Sequence, residues 1–590
     1  MNLTRQGRRL AVSSMAAMAM CWVGAGVRAD DDSARTSTRY NEATVVQLQA
    51  DMAGGRLTSE ELTRYYLARI ATLDQGTLGV NSVIELNPDA LAQARHADLL
   101  RRQGTVLGPL HGLPVLLKDN IGTGDRMQTT AGSLGLVGRP APNDATVVAK
   151  LRAGGAVILG KTNLSEWANF RSFTSTSGWS GRGGQTNNAY GINRNPCGSS
   201  SGSGAATSAN FAVVALATET DGSIVCPAAV NGVVGIKPTV GLTSRAGVVP
   251  LSHTQDTVGP HGRTVADAAA VLGVIQSRSF DGRDAATGTV PLGWRGRARP
   301  ANIPADYTAF LDRRGLFGAR LGITRQGVDA APAPVVAAWE AAVAQLRAAG
   351  ATVIDLDAAG FTFPPAAGEF LVLVYEFRED LKTYLATRTG VPLAGKTLAD
   401  AIAFNNANAA TEMPFFGQEI FELAQSLATG PDDPQPAFGG LTYNQALELG
   451  RIGGVNGIDR ALRDYQLDAV VAPTDTPAWV TDLLFGDNFK FASSGLAAPS
   501  GYPVVQVPAS TVFGLPFGIS FLGTAFSEPK LIKLASGFEA VTLARSKNLP
   551  TLAPFTPSNN TAGTTPRPPR NGNEGPAGSG VDKREKPRRM

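Results

Sequence analysis

The chain has 590 residues, of which 43% are hydrophobic and 17% charged, the composition of a folded globular protein rather than a disordered one. Its formal net charge of +4 comes from the ends: the first 29 residues carry four arginines and no acid, and residues 556–590 carry seven Lys/Arg against three acids, which leaves the body at about −4. A mildly acidic body argues against a nucleic-acid surface.

Residues 1–29 combine a basic start (Arg5, Arg8, Arg9), an apolar stretch from Leu10 to Val27 and a small-residue ending, Val27-Arg28-Ala29. They read as a secretory signal, with Arg8-Arg9 leaving a twin-arginine route open. The alternative, a membrane anchor, is disfavoured because the stretch is short for a span and is diluted by Ser13, Ser14 and glycines. A periplasmic or secreted protein is therefore expected. Residues 30–40 read as a disordered leader and residues 556–590, rich in Pro, Gly and charge, as a disordered basic tail that cannot bury a core. Residues 41–555 are the expected folded body.

Within that body, "SEELTRYYLARIATLD" (59–74) has apolar residues at helical spacing behind a Thr58-x-x-Glu61 capping box. Residues 88–104 read as a second helix. "GLPVLLKDNI" (112–121) is a short apolar run, a buried strand with Lys118 at its end. A helix over 144–155 leads to a strand over 156–163, and residues 204–223 start helical and become a strand near 213–217. This alternation predicts an α/β sheet with helices on both faces. Further on, 334–357 reads as helix, turn and strand, and 360–460 as mostly helical, either a pocket wall or a cover for the sheet. Residues 465–474, 501–510 and 514–523 read as late strands, and 528–542 as a closing helix.

Gly198-Ser199-Ser200-Ser201-Gly202 matches G-x-S-x-G, the nucleophile elbow, which would make Ser200 the attacking group. Acid and histidine candidates follow (Asp221, Asp256, His253, His261), but the elbow needs a strand before it, and residues 183–196 are polar and turn-rich. The four histidines are scattered, and neither Cys197 nor Cys226 has a His or a second Cys at metal-ligand spacing, so no metal site is expected.

Taken singly, a strand-end lysine is usually a surface residue, a Ser/Gly run a linker and a D-G-S triplet a turn. Together and in order, "GLPVLLKDNI", "PCGSSSGSG", "TETDGSIVCPAAVNGVVGIKPTVG" and "TVGPHGRTVADAA" resemble the amidase signature family, over roughly residues 40–550. "TNLSEWANFR" with "ETDGSIVCPAA" resembles its peptide amidase branch. The resemblance implies one large α/β domain with a mixed, roughly eleven-stranded sheet covered by helices on both faces. It implies no cofactor, and a Ser-cisSer-Lys triad: Ser223 as nucleophile, Ser199 as bridging serine after a cis peptide at Gly198-Ser199, and Lys118 as base. The oxyanion hole falls on the backbone of Thr220, Asp221, Gly222 and Ser223, where Thr220 and Asp221 replace the usual hydrophobic residue and glycine. Cys197 and Ser201 replace glycines of the serine motif without touching the triad positions.

These residue types suit the chemistry. A serine hydroxyl attacks only when a base takes its proton. A lysine can be that base only as a neutral amine, so burial must lower its pKa from about 10.4. Asp119 and Asn120 are expected to be structural, bonding the turn. Cys197 lies two residues before Ser199 and Cys226 three after Ser223, so the two could meet and pair in an oxidising compartment; separately buried thiols are the preferred expectation. The expected activity is hydrolysis of carboxamides, above all C-terminal peptide amides, to acid and ammonia. A monomer acting on a small-molecule or peptide amide, with no stable membrane span, is expected. Activity on other aliphatic or aryl amides, membership of a tRNA-dependent amidotransferase complex, and a binding protein that lost its activity are the alternatives. The signal argues against the second and the intact triad against the third.

Overall fold

The computed structural model describes residues 38–76 and 78–556. The expected signal, residues 30–37 of the expected leader and residues 557–590 of the expected tail lie outside them.

Eleven strands form one mixed sheet: β1 (Val83–Leu86), β2 (Pro114–Lys118), β3 (Val157–Thr162), β4 (Val214–Glu219), β5 (Val234–Lys237), β6 (Thr257–Gly262), β7 (Arg320–Ile323), β8 (Thr352–Asp355), β9 (Ala469–Pro473), β10 (Val504–Val512) and β11 (Leu515–Leu522). Their order is β1-β3-β2-β4-β6-β5-β10-β11-β9-β7-β8. β3, β2 and β4 run parallel, as do β9, β7 and β8, and antiparallel pairs join the two blocks.

Every residue of β2, β3 and β4 is buried, which explains their continuous apolar runs: a strand covered on both faces has no polar side to alternate with. Parallel neighbours need crossovers, supplied by helix Thr146–Ala153 between β2 and β3 and by α1 (Ser201–Ser208) between β3 and β4. β9 shows the two-sidedness residue by residue. Ala469 and Val471 join a core with Trp339 and Phe538, whereas Val470 and Ala472 join one with Ile458 and Tyr502. β10 and β11 form a hairpin whose turn, Phe513-Gly514, has positive φ at both positions (55° and 91°).

The Thr58 capping box forms as expected, with Thr58 N donating to Glu61 Oε2 at 2.8 Å and the Thr58 hydroxyl accepting from Glu61 N. β5 and β6 are strands that the sequence pattern does not announce; Gly235, Gly259, Pro260 and Gly262 break it.

Residues 360–460 are mostly helical. They include α3 (Glu369–Leu385) and helices Leu398–Ala407, Glu419–Ser426 and Tyr443–Gly454. They build their own core, in which Leu371, Val374, Phe377 and Phe421 pack on Trp167, Phe170 and Leu251. This layer covers the loops at the site. Among the described residues, no helix is long and apolar enough to cross a membrane.

Candidate active site

Lys118 closes β2 and is fully buried. Its Nζ lies 2.7 Å from Ser199 Oγ, 2.9 Å from Thr218 Oγ1 and 3.3 Å from Thr218 O. The contacts follow from the sheet: β2 runs parallel to β4 with Leu117 opposite Leu216, which sets the end of β2 beside Thr218. Burial pushes the Lys118 ammonium down to about 7, against the pull of the Asp256 and Glu219 charges. A lysine so placed exchanges its proton near neutrality.

Asn120 and Asp119 brace this lysine. Asn120 Nδ2 donates to Thr218 Oγ1 at 2.9 Å, the oxygen that also faces Lys118. Asp119 Oδ2 accepts from Thr130 Oγ1 and from Arg182 Nη1, the latter at 3.1 Å, and the Asp119 carbonyl accepts from Thr130 N and Ala131 N. Asp119 thus ties the turn to the Thr130 loop, as its position after the strand suggested, whereas Asn120 reaches Thr218 beside the Lys118 amine.

The Gly198-Ser199 peptide is cis. Only glycine fits at 198, because a Cβ there would stand 2.1 Å from Ser165 Oγ. The Ser199 carbonyl accepts from Ser165 N at 3.0 Å. Ser200 is committed elsewhere: its hydroxyl donates to Thr218 O at 2.9 Å and accepts from Thr218 N at 3.2 Å, and its own N–H donates to Ser223 O at 3.2 Å. No strand precedes it. The elbow therefore does not form, and Ser200 ties the Ser199 and Ser223 segments together.

Ser223 follows β4 across the turn Thr220–Gly222 and leads into α2 (Val225–Val230). Its Oγ has no hydrogen-bond partner among the described residues, and neither do the backbone N–H groups of Thr220, Asp221, Gly222 and Ser223. Glu219 shapes this turn: its Oε2 accepts from Ile224 N at 2.7 Å and Val225 N at 3.0 Å. Thr220 Oγ1 donates to Asp256 Oδ1 at 2.6 Å. Asp256 Oδ2 in turn accepts from Leu251 N and Ser252 N, and burial raises its carboxyl to about 6. Gly222 has φ +80°. Four unpaired donors on one tight turn beside a serine are a ready site for an oxyanion.

Neither histidine behind the serines reaches them. His261 Nε2 contacts Ile224 O at 2.8 Å, and burial lowers its pKa to about 4. His253 is paired with two carboxylates, Asp380 Oδ2 2.9 Å from Nδ1 and Glu376 Oε1 3.3 Å from Nε2. A cavity of about 830 Å³ opens beside the site, where it meets Asp256, His253 and Tyr384 but not Ser223.

Cys197 and Cys226 form a disulfide with 6.0 Å between their Cα atoms. This corrects the expectation of separate thiols: the Ser200–Ser223 backbone bond brings the chain before one serine against the helix after the other. Thr218, Glu219 and Ser165 are site residues that sequence reasoning did not single out, and Asp256 entered it only as a candidate acid for the elbow. Thr218 alone had a usable signal, two positions before Thr220 on a strand that neighbours Lys118.

A sequence model of the Amidase family matches residues 61–532. A probable amidase of Arabidopsis thaliana is 41% identical over 517 residues, which cover 85% of this chain and 91% of that protein. The crystal structure of native peptide amidase from Stenotrophomonas maltophilia superposes with a TM-score of 0.78 at 48% identity, covering 88% of this chain and 100% of that one. A glutamyl-tRNA(Gln) amidotransferase chain of Symbiobacterium thermophilum is 34% identical over 500 residues, 83% of this chain and 94% of that protein. The chain belongs to the amidase family. It is a hydrolase of amide C–N bonds whose fold is that of peptide amidase.

Proposed function

We propose that the protein is a serine amidohydrolase that removes the C-terminal amide of peptides, with Ser223, Ser199 and Lys118 as its catalytic residues. The observation that carries the reading is the 2.7 Å contact between Ser199 Oγ and a buried Lys118 whose pKa is lowered to about 7. Neutral Lys118 takes the Ser199 proton while Ser199 takes that of Ser223, whose Oγ attacks the amide carbonyl carbon. The C=O electron pair moves to oxygen and is met by the N–H groups of Thr220–Ser223. As the C–N bond breaks, the proton returns from Lys118 through Ser199 to nitrogen, and ammonia leaves an acyl ester on Ser223. Water, deprotonated by the same relay, attacks the ester, and carboxylic acid leaves as Ser223 recovers its proton.

The likeness to peptide amidase supports the substrate class. A site that accepts only ammonia as leaving group rejects internal peptide bonds by volume alone. The helical layer around α3 is the proposed wall of the acyl channel. A periplasmic or secreted location is part of the reading, and a disulfide between buried cysteines fits an oxidising compartment. Mass spectrometry of an amidated peptide tests it: a one-dalton gain with no internal fragments is expected, and internal fragments refute it. The amidotransferase relative supplies the second reading. Ammonia release by the purified chain alone decides against that one.

A further inference from the structure

We propose that the Cys197–Cys226 disulfide is a positioning element of the active site, fixing the segments of Ser199 and Ser223 relative to each other. The inference rests on the reading of those two serines as a catalytic pair. The loop that the bond closes starts two residues before Ser199 and ends three after Ser223, so it contains α1, β4 and the oxyanion turn. Lys118 stands outside it on β2, held by the sheet. The disulfide therefore ties together the two ends of the one segment whose internal geometry the relay needs.

Few other direct ties cross the same gap. Ser200 N donates to Ser223 O at 3.2 Å, and Asn231 Nδ2 donates to Pro196 O at 3.0 Å. No hydrogen bond joins the side chains of Ser199 and Ser223. The disulfide lies between those two bonds along α2. Cys197 itself is held in a left-handed conformation, φ +55°, which a residue with a side chain rarely adopts. Its N–H donates to Asn195 Oδ1 at 2.7 Å and its carbonyl accepts from Ser201 Oγ at 2.5 Å. Released from Cys226, Cys197 can relax its backbone, and any rotation passes straight to the peptide that carries Ser199.

The sulfurs are not a surface staple. Both cysteines are buried among Tyr190, Val230, Trp479 and Leu515. Opening the bond takes two electrons and two protons. With a water-soluble phosphine as reductant, phosphine and water yield phosphine oxide and two thiols.

The test uses the full chain, oxidised and then phosphine-reduced, beside a Cys197→Ser/Cys226→Ser variant. Labelling of Ser223 by a fluorophosphonate needs no amide substrate, so it reads the geometry of the serines apart from the choice of substrate. A label on another residue would mean that the catalytic assignment itself fails. The expectation is at least a tenfold slower labelling and a matching fall in kcat, with KM within twofold and circular dichroism unchanged. Reoxidation should restore the rate. Full-rate labelling of protein that has gained two titratable thiols over its oxidised form overturns the proposal, because the bond then only stabilises the fold. Should the variant not fold, the native protein is reduced in graded urea, and labelling lost only in step with circular dichroism overturns it equally.

Discussion

At the level of single residues, the proposed chemistry depends on a lysine kept neutral and a serine kept free. Ser223→Ala removes the attacking oxygen and should lower kcat by roughly 10³-fold or more, with Ser199→Ala and Lys118→Ala also severe, because the three act as one unit. Ser200→Ala should be milder and should show mainly in stability. The pH dependence follows from the direction of the Lys118 shift. In the proposed mechanism the neutral amine is the active form, so the rate should fall as pH drops through about 7 and the amine takes a proton. Thr218→Val deletes an oxygen that accepts from Lys118 Nζ, which disfavours the ammonium further. The acid limb of the kcat/KM profile should therefore move to lower pH, and a limb that stays in place would separate Thr218 from the base. Gly222→Ala meets a φ of +80° and places a Cβ 3.2 Å from Ser494 Oγ. It should cost about 1–2 kcal/mol of backbone strain and distort the oxyanion turn, so kcat falls more than a loss of stability explains.

Among the elements, the helical layer and the sheet have different duties. Phe377 on α3 is buried and packs edge-on against Phe170 and at a tilt against Phe421, with ring centroids 5.4 and 5.1 Å away. Phe377→Ala should cost about 3–5 kcal/mol, measured by urea unfolding, while the proposed relay of Lys118, Ser199 and Ser223 stays intact. Where the sequence showed a helix or a buried strand, local pattern and packing agreed: Thr58 capped its helix and residues 528–542 formed the closing helix within those bounds. β5 and β6 were illegible because glycine and proline carry no strand signal, and their pairing is decided by neighbours far along the chain.

Across the molecule as a whole, residues 557–590 are expected to be dispensable, since Pro, Gly and like charges cannot bury a core. A chain ending at residue 556 should keep full ammonia release, and loss of turnover would make the tail part of the working enzyme. The order of amino acids suffices for the inventory: a lysine at the end of an apolar strand, a serine-rich turn and a second serine on a D-G-S turn, in an order that already pointed to the family. Strand and turn signals are local, so residue types at close spacing are enough to carry them. Which serine is free emerges only from the folded chain. Ser200 and Ser223 look alike in a glycine-rich string, but Ser200 is bonded to Thr218 and Ser223 is not. Folding likewise joins two cysteines 29 residues apart and brings Thr218, Glu219 and Asp256 to brace the site. Such contacts arise where separate segments cross in the loops at the strand ends, and no spacing along one chain encodes them.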